Sequence, residues 1–195
     1  GAAAVAVGAT LTVGEQIGSA TDYNAAMAAT RAPLPEQAAT RDLVRYATLA
    51  PNGHNAQPWL FRAAGNRIEI LPDFRRRTPV VDPDDHHLFI SLGCAAENLS
   101  LASAARGRPG TLAFDPAGSG SIAFDAQAGP SVASALFEAI PRRQSTRADY
   151  DGRPVSVVDL RTLAAASAIP GVDLILITDR AQIGRMRDLI VSGNG

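Results

Sequence analysis

PNGHNAQPW, residues 51–59, gathers two prolines, a glycine, three side-chain amides, a histidine and the chain's only tryptophan. No regular element favours that mixture, because proline withholds a backbone donor and glycine loosens the chain. It reads as a loop closed by an aromatic plug. Asn52, Asn55 and Gln57 each offer a carbonyl acceptor and an amino donor without charge. Such a set suits a ligand whose edge alternates donors and acceptors, such as a flavin, a purine or a nicotinamide. Gly53 permits a close backbone approach, and Pro51 and Pro58 stiffen the loop and lower its ordering cost on binding. Trp59 is expected to anchor it to the core, and His54 to brace it. The same residues also serve an ordinary loop of Asx-turns and helix caps. Chemistry alone leaves both readings open.

The flanking pattern is mixed. Residues 22–31 are Ala-rich and helix-compatible, and APLPEQ breaks the run. Residues 37–49 predict a helix, with Leu43, Tyr46, Ala47 and Ala50 at helical spacing, Thr40 as N-cap and Pro51 ending it. Trp59–Phe61 and Arg67–Leu71 predict a hairpin around AAGN. Residues 72–85 read as a charged, proline-broken loop. Residues 87–105 are apolar nearly all round, which predicts a buried helix ended by Gly107 and Pro109. TLAFD and SIAFD around PAGSG predict a second hairpin. Helices at 131–140 and 156–167, a strand VDLILITD at 172–179 and a helix from Arg180 complete the reading. The order is α+β, without the alternation of a doubly wound sheet.

The 195 residues are 46% hydrophobic and 19% charged with a net charge of −1, which describes a globular chain. Near-neutral charge argues against nucleic acid or an anionic membrane as the main partner. All 18 basic residues are arginine, so any bound anion must meet guanidinium forks or backbone amides. The lone Cys94 excludes an internal disulfide framework and falls on the apolar pattern as a core thiol. Residues 1–13 are small, apolar and uncharged, too short for the roughly 20 residues of a bilayer span. They suit the apolar part of an export signal, which predicts an envelope or periplasmic location, with an Ala/Gly tail in the cytoplasm as the alternative. DLIVSGNG at the other end stops just after a helix-like run.

A second constellation is RRQSTR, residues 142–147. Arg142, Arg143 and Arg147, with Ser145 and Thr146, supply guanidinium forks and hydroxyls suited to a phosphate. A solvated basic loop has the same composition. DPDDHH at 82–87 offers carboxylates and imidazoles, but neighbouring histidines on a helix point about 100° apart. Asp84 or Asp85 as N-cap or first-turn acid of the helix from His87 is the simpler account. Ser145 has no evident base, so no hydrolase is read.

Together the two constellations resemble the FMN-dependent nitroreductase superfamily, whose motifs read R-R-S-x-R and P-S-x-x-N-x-Q-P-W. The run GCAAENLSLASAARG at 93–107 resembles a further helix of that family. The resemblance covers most of 40–155, with Asn52 in place of the family's serine. It implies FMN as cofactor, its phosphate on Arg142, Arg143, Ser145 and Arg147, and its ribityl chain and ring edge near Pro51, Asn52, Asn55 and Gln57. No catalytic side chain and no metal is implied. The Arg segment follows the amide loop here, the reverse of the usual order. That arrangement resembles the Acg-like branch, with two fused half-domains and often a twin-arginine export signal. It implies residues 1–21 as a signal remnant, 22–130 as a first half and 131–195 as the start of an incomplete second. A pseudo-dimer of fused halves or a homodimer would complete the site. NAD(P)H as reductant and an electron-poor small molecule as acceptor are the implied partners. A non-catalytic FMN-sequestering protein and a cofactor-free structural domain are the alternatives.

Overall fold

The computed structural model describes residues 19–193, so the apolar run 1–13 lies outside the described residues. The chain divides between Ser145 and Thr146 into two compact units. The first holds helices α1 (Ala20–Arg31), α2 (Thr40–Ala47), α3 (His86–Ala104) and α4 (Ala135–Ala139) and strands β1 (Trp59–Ala64), β2 (Arg67–Pro72), β3 (Gly110–Phe114) and β4 (Ile122–Ala126). Helix and strand mix as α+β. The strands form one antiparallel sheet in the order β1-β2-β4-β3.

Both hairpins form where turn chemistry places them. Gly65, at φ +60°, takes the left-handed position between β1 and β2, where Ala64 pairs with Arg67. β2 and β4 are central, with Ile68 opposite Phe124 and Ile70 opposite Ile122. These four side chains are buried. Helix α3 packs on them and also meets α2 and α4. Tyr46 of α2 stacks on Phe137 of α4, and its hydroxyl accepts the Leu34 N–H at 3.0 Å.

Helix α3 is buried along one face only, through Leu88, Leu92, Ala95, Ala96, Leu99 and Ala102. Ile90 is 51% exposed, and Gly93 and Glu97 are exposed on the same stripe. The expectation of burial all round fails because small Ala and Ser residues blur the polarity contrast between faces. Gly107, at φ +68°, ends α3 as expected: its N–H donates to Ala104 and that of Arg108 to Ser103, a Schellman closure.

Cap assignments move. Ala39, not Thr40, is the N-cap of α2, and its N–H donates to Asp42 at 3.0 Å. Asp85 takes the N-cap position of α3, as expected, at φ +56°, but its side chain makes no cap hydrogen bond. The Asp82 carboxylate reaches back instead and accepts the N–H groups of His87 and Leu88 at 3.0 and 3.1 Å. Residues 72–85 are less irregular than expected, since Phe74–Arg76 makes a 3-10 turn.

The second unit contains α5 (Val157–Ala166), capped by Ser156, and α6 (Arg180–Gly193). Residues 172–179 form no strand there, contrary to the hydropathy pattern. A strand needs a ladder, and among the described residues none pairs with it. Ile175 is 80% exposed, and neither helix buries a residue.

Candidate functional site

The amide loop begins two residues after Leu49 and ends at the buried Pro58 and Trp59. Asn52 ties it from within: its Oδ1 accepts the Gln57 N–H at 2.8 Å and its Nδ2 donates to Ala50 O at 3.3 Å. The Gly53 N–H donates to Ser91 Oγ at 3.2 Å, and Ser91 donates to His87 O at 2.6 Å. From the other side Arg76 NH1 donates to Ala56 O at 3.1 Å. So held, His54, Asn55 and Gln57 adopt left-handed φ of +52°, +56° and +51°. Such a conformation in a non-glycine residue costs about 1–3 kcal/mol and persists only where the surroundings impose it. All three are exposed, and among the described residues their side chains take no hydrogen-bond partner. His54 therefore does not brace the loop. Asn55 and Gln57 present free amides beside it, while Asn52 spends its amide on the loop itself.

Asp73, given no role by the sequence reading, joins the end of this loop, where its N–H donates to Pro58 O at 3.0 Å. Asp73 is buried and accepts Arg75 through Nε and NH2 at 2.8 and 3.0 Å, with Arg76 at 3.6 Å. The Arg75 hydrogen bonds hold its carboxyl below the usual carboxylate range against the cost of burial. Asp85 pairs with Arg77 at 2.8 Å. Burial works to raise the Asp82 carboxyl, yet the His87 and Leu88 N–H groups and the His87 ring bring it below the usual range. A signal was there, in the acids flanking the run Arg75–Arg77.

A group with a depressed folded pKa stabilises above its unfolded pKa and loses that contribution as pH falls through the folded value. Asp82→Asn is therefore expected to lower the melting temperature at neutral pH. The gap from the wild type should narrow below about pH 4, where ordinary carboxylates protonate. Thermal melts across pH check this. A gap independent of pH would remove the charge on Asp82 from the account.

The Arg segment starts in the 3-10 turn Ile140–Arg142. Arg143 is half-buried and donates through Nε and NH2 to Leu49 O at 3.3 and 3.2 Å. Its NH1 donates to Ser145 Oγ at 3.2 Å. Arg142 is exposed, with Nε on Glu138 O at 3.0 Å. The start of the Arg segment thus meets the root of the amide loop across 94 residues of sequence. Arg147 is exposed within the second unit. Cys94 is half-buried; burial pushes its thiol up, and the Arg143 charge works against that.

The donor set is neutral amides on one segment and guanidinium with hydroxyl on another. It fits a ligand with a hydrogen-bonding ring edge and a phosphate. Two Mycobacterium tuberculosis proteins are similar to this chain. They carry the names "Putative NAD(P)H nitroreductase Rv3131" (strain H37Rv) and "Putative NAD(P)H nitroreductase MT3217" (strain CDC 1551). Each is 28% identical over 170 residues, covering 84% of this chain and 48% of the relative. The chain spans about half the length of the curated relatives it matches. No protein-family model matches it. Among the described residues no helix is long and apolar enough to cross a membrane.

Proposed function

We propose that this chain is the FMN-binding part of a nitroreductase-type oxidoreductase. One observation carries the reading: Arg143 bonds the carbonyl of Leu49, so the guanidinium segment and the amide loop are neighbours in the first unit. The similarity to proteins named as NAD(P)H nitroreductases supports it independently. Asn55, Gln57 and the backbone after Pro51 would face the ring edge and ribityl chain, with Asn52 shaping the loop from within. Arg142, Arg143 and Ser145, all of the first unit, would hold the phosphate. Bound flavin would carry electrons from a nicotinamide nucleotide to an electron-poor acceptor. The protein's share is to bind, orient and exclude water, and no side chain need act as acid.

The relatives' greater length leaves room for the Acg-like arrangement of two fused halves. An export signal at the N-terminus belongs to the same proposal. It is tested by fractionating cells that express the full-length gene, where uncleaved protein found only in the cytosol would refute it.

Titration with FMN and riboflavin, read by flavin fluorescence, tests the site. Asn55→Ala should weaken both ligands alike. Arg142→Ala should weaken FMN by about 1.5–3 kcal/mol, the scale of a charged hydrogen bond, and leave riboflavin nearly unchanged. Equal losses for Arg142→Ala would remove the phosphate assignment. Oxidation of NAD(P)H with an added acceptor separates an oxidoreductase from a flavin-sequestering protein.

A further inference from the structure

Three arginines of the first unit end on main-chain carbonyls in sequence. Arg45 of α2 donates to Thr30 O and Ala32 O at 2.9 and 2.7 Å, gripping the C-terminal end of α1. Arg31, the last residue of α1, donates through NH1 alone to Pro141 O and Arg143 O at 2.9 and 3.0 Å. Arg143 in turn donates to Leu49 O, just beyond α2. The circuit runs from α2 to α1, from α1 to the Arg segment, and from there back to the end of α2. Helix α1 buries no residue, so apolar packing does not explain its place. The two carbonyls held by Arg31 flank Arg142, in backbone that belongs to no ladder and leaves a 3-10 turn after Arg142.

We infer that Arg31 is a positioning residue for the anion-binding segment. It fixes the backbone on both sides of Arg142, so that Arg142, Arg143 and Ser145 are set for a phosphate before it arrives. Preorganised donors bind more tightly because less ordering remains to be done on binding. The inference rests on the flavin reading above. It adds a residue that touches no ligand, lies about 110 positions away in sequence and belongs to neither motif.

Because one nitrogen makes both bonds, a lysine ammonium can replace it, while a neutral, apolar side chain of similar length cannot. In the full chain, Arg31→Met should weaken FMN about tenfold, the scale of one charge-assisted hydrogen bond. Riboflavin, which has no phosphate, should weaken less than about twofold, within the range of a surface change. Arg31→Lys should restore FMN to within about threefold of the wild type, since both carbonyls regain a charged donor. Arg31→Gln, with fewer donors and no charge, should fall between, and it serves if Arg31→Met does not fold. A melting curve on each variant comes first. Equal weakening of FMN and riboflavin would make Arg31 merely structural and overturn the inference, as would unchanged FMN affinity in Arg31→Met. A wild type that binds both flavins equally removes the phosphate site and this inference with it, and one that binds neither sinks the flavin reading itself.

Discussion

Trp59→Ala is expected to lower the unfolding free energy by ~3–5 kcal/mol, the range for truncating a buried large aromatic side chain. Trp59 is 7% exposed, opens β1 opposite Pro72 and closes the amide loop. Its loss leaves a cavity where the loop joins the sheet. Urea unfolding measures it. A loss under about 1 kcal/mol, typical of surface sites, would make Trp59 a ligand-facing ring rather than an anchor.

Leu99→Ala should cost ~2–5 kcal/mol, while Ile90→Ala should stay within about 0.5 kcal/mol. Both lie on α3, nine residues apart, but Leu99 is fully buried between sheet and helices and Ile90 projects outward. The pair tests one-sided burial, which hydropathy alone conceals. Comparable losses at the two sites, again by urea unfolding, would mean that the outer stripe of α3 is covered.

What the sequence told of this fold follows from how locally each feature is written. The hairpin β1–β2 was legible because Gly65 supplies a left-handed position that few other residues take. The end of α3 was legible for the same reason at Gly107. The start of α3 at Asp85 was legible too, but not its capping bonds, because Asp82 reaches over Asp84 and Asp85 to make them. Residues 172–179 carry strand composition, yet a strand is a property of a pair. In the candidate site, the residue types of the amide loop and the Arg segment stood in the sequence, but their adjacency did not. Arg31, Arg45 and Arg143 all end on main-chain carbonyls, which every residue owns and no residue name announces. The left-handed backbone at His54, Asn55 and Gln57 is equally silent in sequence, being imposed by Ser91, Asn52 and Arg76.

Asn52–Gly53 is also a dipeptide of the kind that ages fastest in proteins. The backbone nitrogen after the asparagine attacks the side-chain carbonyl, ammonia leaves, and water opens the resulting imide ring to aspartate or isoaspartate. Here the attacking nitrogen is Gly53 N, whose hydrogen lies on Ser91 Oγ, and the carbonyl under attack is held by the Gln57 N–H. The departing amide nitrogen is engaged with Ala50 O. Attack must therefore free the Gly53 N–H from Ser91 Oγ, and the leaving nitrogen must give up Ala50 O. The same bonds that shape the loop slow its chemical clock.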